Sequence, residues 1–207
     1  TKTGVGLRLA SGLIDLAGGM LLPAMFFTMI TAIVLGMGVP TTANYVITST
    51  IAAPALVQMG VPILAAHMFV FYFGIIADVT PPVALAAYAG AGISGGNALK
   101  TGVHASKLAI AAFIIPYIFV LSPVILMVDA TPLALIMATL SALAGMIAVS
   151  SALCGFLADH CRPYERLLLI IAGLLMIKPG GTTDLIGCAL FAVILAMQYT
   201  RVKKAAA

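Results

Sequence analysis

From Met20 to Met197 the chain is a succession of apolar runs, among them Met20–Met37, Leu108–Val128 and Leu133–Leu157, separated by short polar turns. A bilayer core about 30 Å thick takes roughly 20 predominantly apolar residues per helix. The runs therefore predict an all-α integral membrane protein that crosses the bilayer several times within one membrane domain. Composition agrees, since 8% of the residues are charged and 63% hydrophobic, against roughly 25% charged in soluble domains.

The formal charge of +4 does not point to nucleic acid, because the ten Lys and Arg sit in short clusters between apolar runs rather than along a stripe. Lys and Arg favour cytoplasmic loops. Lys100 and Lys107, then Arg162 and Arg166, then Arg201, Lys203 and Lys204 fall on one side if each intervening pair of runs crosses twice. That side is predicted to be cytoplasmic and to hold the C-terminus, with Asp129 and the Lys178–Asp184 segment outside. Lys2 and Arg8 run against the rule. The chain starts at Thr1 without a signal-peptide pattern, and is expected to be the C-terminal piece of a longer polypeptide. Cys154, Cys161 and Cys188 lack metal-ligand spacing and the even count of a disulfide framework.

Residues 1–19 mix Val5, Leu7, Leu9, Leu13, Ile14 and Leu16 with Lys2, Arg8 and Asp15, which predicts an interfacial amphipathic helix rather than a span. Residues 20–59 are two short apolar limbs around Gly-Met-Gly-Val-Pro-Thr-Thr-Ala-Asn, Gly36–Asn44. This is the pattern of a re-entrant hairpin, tolerated at membrane depth only where protein or a water-filled cavity surrounds it, and the charge topology makes it open outward. Residues 63–97 read as a transmembrane helix broken at Asp78-Val79-Thr80-Pro81-Pro82, where two prolines remove amide donors and the first disfavours helical geometry at Thr80. The small residues that follow, Ala-Tyr-Ala-Gly-Ala-Gly, are of the kind that permit close helix packing. A helix at 108–128, kinked by Pro116 and Pro123, precedes the C-terminal transmembrane helices of 131–207, whose last two runs, Leu167–Ile177 and Leu185–Met197, are short.

A helix broken in mid-membrane exposes carbonyls and amides that an intact helix uses internally, so it can coordinate a cation or face an anionic substrate. The candidate cation and substrate residues are Gly36, Gly38, Thr41, Thr42 and Asn44 at the hairpin tip, and Asp78, Thr80, Pro81 and Pro82 at the helix break. Thr41, Asn44, Asp78 and Thr80 supply the hard oxygen ligands that suit sodium, by analogy with other hard cations. Asp78 is the only acid between Met20 and Ile93. An intramembrane acid is a functional candidate, but Asp78 equally fits as the N-cap of a half-helix beginning near Pro81. His67 reads either as a proton relay or as a membrane histidine bonded to a neighbouring helix. His104 and His160 fall in polar turns. The Arg162–Arg166 cluster fits an ordinary positive-inside turn better than a headgroup or partner site. No Ser-His-Asp set, phosphate-binding glycine loop or pair of acids is present, so enzymatic chemistry and a cofactor are not expected.

The run LGMGVPTTANYVITSTIAAPAL, Leu35–Leu56, followed by FGIIADVTPPVALAAYAGAGISGG, Phe73–Gly96, resembles the large membrane subunit of tripartite ATP-independent periplasmic (TRAP) transporters. It looks closest to the fused-permease type, and the resemblance is specific over residues 20–130. It implies an elevator-type secondary transporter of the bacterial or archaeal inner membrane, built of inverted repeats with a hairpin and a broken helix in each half. Residues 20–130 would be the second-repeat transport region. It further implies sodium coupling and import of a small organic acid delivered by a periplasmic solute-binding protein. Many members carry a hydrophobic residue or Gly near the position of Asp78, and the acid here leaves H+ coupling open. A site built between two halves would be completed by the remainder of the fused permease or by a small membrane subunit. The alternative is a channel or structural membrane subunit without coupled transport.

Overall fold

A computed structural model describes residues 5–177 and 181–205; Lys2 and Lys178, which entered the charge topology, lie outside them. All the regular elements described are helices. Two compact units are formed, Thr1–Val120 and Leu121–Ala207.

In the first unit α1 (Val5–Leu16) is followed by α2 (Leu21–Gly36), α3 (Thr41–Ile51), α4 (Ala53–Gln58) and α5 (Ile63–Ile76). A short 3-10 turn, Ala77–Val79, leads to α6 (Leu85–Ser94), α7 (Ala98–Leu108) and α8 (Ile110–Leu121). The core element is α5, against which α2, α3 and α4 pack. Its Ala65, Ala66, Phe69, Val70, Phe73 and Ile76 are buried. Lipid tails are as apolar as these side chains, so fit rather than escape from water holds the helices together. The buried face of α2 shows this: Ala24, Thr28, Ala32 and Gly36 recur one turn apart and let α5 come close. On the other flank Phe69, Phe73 and Tyr117 of α8 stack edge to face with centroids 4.8–5.9 Å apart, a favoured aromatic geometry. The hydroxyls of Thr48, Ser49 and Thr50 turn back onto carbonyls of their own helix, which keeps them satisfied without water.

The second unit contains a 3-10 turn, Pro123–Leu126, then α9 (Pro132–Cys154), α10 (Pro163–Ile177) and α11 (Gly181–Ala205). Thr131 caps α9 by accepting from Ala134 N–H at 3.3 Å, with Pro132 at the first helical position where its missing donor costs nothing. Helix α10 packs on both α9 and α11. A Cβ on Gly145 would lie 3.0 Å from the Gly173 carbonyl oxygen, so the backbones of α9 and α10 touch where only glycine fits.

Pro132–Cys154 and Gly181–Lys203 are each long and apolar enough to cross a membrane, and α7 with α8 makes a third if that pair, bent by 43°, is one span. Leu21–Gly36, Ile63–Val79 and Leu85–Ser94 are apolar but shorter. Several details depart from the sequence reading, the first being that the stretch with Lys100, His104 and Lys107, read as a polar turn, is helix α7. Helix α11 begins at Gly181 and outruns the apolar stretch Leu185–Met197, so its length suffices. Pro116 lies inside α8, but Pro123 starts a separate 3-10 turn after the helix has ended. Gly90 and Gly92, expected in close packing, have open space around them among the described residues.

Candidate functional site

Helix α2 stops at Gly36, and Gly38 at φ +71° takes the left-handed turn that L side chains resist. Pro40 then leads into α3 at Thr41. In the first turn of α3, Asn44 points inward and is 3% exposed. A Cβ on Gly36 would fall 2.6 Å from the Gly74 carbonyl oxygen and 2.7 Å from Asn44 Nδ2. One on Gly74 would fall 2.6 Å from Asn44 Oδ1. The carboxamide thus fits between α2 and α5 only because both positions are glycine. Among the described residues Asn44 Oδ1 has no hydrogen-bond partner although it is buried, an omission that ordinarily costs about 1–3 kcal/mol.

One turn beyond Gly74 the helix gives way. Ala77–Val79 tighten into a 3-10 turn, Thr80 is extended, and the Pro81–Pro82 peptide is cis. Hydroxyl groups hold the backbone that the break frees. Thr80 Oγ1 donates to the Ile76 carbonyl at 2.7 Å, Ser106 Oγ of α7 to that of Val79 at 3.0 Å, and the Tyr88 hydroxyl of α6 to that of Pro82 at 2.7 Å. Asp78 is half-buried, and its carboxylate makes no hydrogen bond or ion pair among the described residues. It is not the cap of the second half-helix, because α6 starts at Leu85 with Ala84 in the cap position; two prolines and the following turn delay the helix past Asp78's reach.

The structure therefore brings Gly36 and Asn44 against Gly74, with Asp78 one turn further along the same chain segment. Thr80 lies beside Asp78; its hydroxyl gives its proton to Ile76 and keeps its lone pairs. Pro81 is half-buried and Pro82 exposed. Gly38, Thr41 and Thr42 are exposed at the tip, and neither threonine hydroxyl bonds to Asp78 or Thr80. The oxygens gathered here are hard donors of the kind alkali and alkaline-earth cations take. Among the described residues no three His, Cys, Asp or Glu side chains converge as metal ligands. Gly74, Tyr88 and Ser106 were not singled out from sequence; the one local signal was Gly74 standing among large residues a turn before the acid. His67 takes the second of its two readings, since its Nδ1 lies 2.9 Å from the Tyr45 hydroxyl on α3.

A second polar cluster, in the other unit, was also not foreseen. Glu165, in the first turn of α10, is 1% exposed. Its carboxylate accepts from the Arg162 backbone N–H at 3.0 Å, from Gln198 Nε2 at 2.9 Å and from Arg201 Nη2. Burial alone would raise its pKa, but these three donors outweigh that and bring it down to about 2. Gln198 Oε1 accepts from the N–H groups of Ala158 and Asp159 at 3.1 and 3.2 Å, and Arg201 also pairs with Asp159 at 3.4 Å.

No curated protein and no solved structure matches the chain. The family described as "Tripartite ATP-independent periplasmic transporter, DctM component" matches residues 1–134, a stretch that contains both breaks and the whole Gly36–Asn44–Gly74 contact. With its apolar spans and all-helical fold, the chain is a multi-pass membrane protein that belongs to the TRAP transporter family as a DctM-type permease component.

Proposed function

We propose that this permease component works in a secondary symporter that couples entry of a small organic carboxylate to sodium. In this reading a periplasmic solute-binding protein delivers the substrate, and a small membrane subunit or further permease segment completes the transport unit. The membrane is the inner membrane, with the C-terminus cytoplasmic. The observation that carries the reading is that the hairpin tip packs just before the break: Asn44 Oδ1, buried and without a partner among the described residues, lies between Gly36 and Gly74, and Asp78 follows Gly74 one helical turn along the chain. An oxygen acceptor kept dry and unused in the turn before an acid suits a cation better than it suits packing.

The test is counterflow in proteoliposomes containing the permease with its partner subunits. Saturable exchange that rises with external sodium is expected, and sodium-independent linear flux would reject the reading in favour of a channel. The unpaired state of Asp78 also supports a proton-coupled variant. In that case Asp78→Asn abolishes the pH dependence of uptake and leaves exchange intact, whereas under sodium coupling it raises the sodium concentration needed for half-maximal uptake.

A further inference from the structure

The turn between α9 and α10 carries more positive charge than its acids answer. Asp159 and Glu165 are both committed to Arg201. Arg162 and Arg166 are exposed, and neither has an ion pair among the described residues. The Arg166 backbone N–H donates to the Arg162 carbonyl at 3.0 Å, which sets the two residues one turn apart at the start of α10, close enough for like charges to repel. Each also has a local contact. Arg166 lies across Gly155, where a Cβ would overlap its guanidinium, and Gly155 sits at φ +78° as the left-handed end of α9. Arg162 Nη1 reaches the Tyr164 hydroxyl at 3.5 Å.

Beside this pair the surface changes to aromatic and then to aliphatic. Phe156 is 53% exposed and packs edge to face on His160, and Tyr164 is 45% exposed. Leu153 on α9 and Leu167 and Leu168 on α10 continue the exposed surface away from the turn. A tyrosine such as Tyr164 belongs at the headgroup level of a bilayer, and the guanidinium fork matches phosphate geometry better than a lysine does. We propose that Arg162 and Arg166 bind the phosphate of an anionic glycerophospholipid of the phosphatidylglycerol type, whose acyl chains lie along the apolar faces of α9 and α10. Charge complementarity selects the acidic lipid over a zwitterionic one, because the local acids are spent on Arg201 and leave the turn net positive.

The experiment uses the purified, delipidated protein in neutral detergent, titrated with short-chain phosphatidylglycerol and with matched phosphatidylcholine. Retained lipid is counted by native mass spectrometry. Phosphatidylglycerol is expected to be retained at roughly tenfold lower concentration. That preference should vanish in Arg162→Gln/Arg166→Gln and survive in Lys100→Gln/Lys203→Gln, which removes the same charge elsewhere. Equal retention of both lipids by the unaltered protein overturns the proposal, as does equal loss in the control variant. Displacement of the lipid by equimolar inorganic phosphate overturns it too, by marking the site as one for free anions. If the glutamine pair does not fold, Arg162→Lys/Arg166→Lys is read instead: a weakened preference supports the site and full retention overturns it.

Discussion

At the scale of single residues, the contact that matters most is made by two side chains that are not there. Gly36 and Gly74 each leave the space of one methyl group, and the Asn44 carboxamide fills it. Gly74→Ala is therefore expected to destabilise the folded protein by about 1–3 kcal/mol through overpacking, read as a lower unfolding temperature in detergent. Asn44→Ala in the Gly74→Ala background returns the space, so most of that stability is expected back. Sodium-dependent uptake is not, if Asn44 Oδ1 serves the cation; full recovery of both would reduce Asn44 to a packing residue. Glu165 gives a second residue-level expectation. A carboxyl held at about 2 in the folded protein and near its ordinary 4.5 when unfolded contributes stability that is fully present above pH 4.5 and fades as pH falls toward 2. The unfolding temperature should drop across that window, and in Glu165→Gln the window's share of the drop should be missing.

At the scale of elements, the helix break depends on donors from two other helices. Ser106→Ala and Tyr88→Phe each remove the hydroxyl that answers a link carbonyl, at Val79 and Pro82 respectively. Each is expected to cost about 1 kcal/mol and to speed amide exchange in residues 76–85 more than in α9, which hydrogen-exchange mass spectrometry resolves. The positions of the breaks were legible in the sequence because they are made locally, by Gly38, Pro40, Pro81 and Pro82, whose allowed backbone angles need no partner. The restraints on them were not. Ser106 follows Val79 by a whole helix, and Gly74 becomes special only once Asn44 arrives from α3. The length of α11 was underestimated for a related reason: Gln198 and Arg201 end its apolar run, yet both are satisfied by Asp159 and Glu165 across the turn, so the helix continues through them. The late start of α6 escaped because a left-handed Ala84 leaves no mark in residue type.

At the scale of the whole molecule, the clustering of Lys and Arg makes an orientation testable. With the basic turn at Arg162–Arg166 inside, Asp129→Cys is expected to react with an impermeant maleimide added to intact cells, and Arg162→Cys only after the membrane is opened, both in a background with Cys154, Cys161 and Cys188 replaced by serine. The reverse pattern would invert the topology proposed for every helix. The hydroxyl-bonded link also bears on what happens between transport events. Thr80, Ser106 and Tyr88 answer the carbonyls of Ile76, Val79 and Pro82 from within the protein, so on the proposed reading a carrier that moves without its ion exposes no bare acceptor to lipid at those positions. On the proposed reading the cost of moving empty falls on Asn44 Oδ1 and Thr28 Oγ1, both buried without a partner among the described residues of this unit, and on the half-buried Asp78 carboxylate. If Asn44 and Asp78 hold the proposed ion, they set whether the transporter slips without it or waits for it.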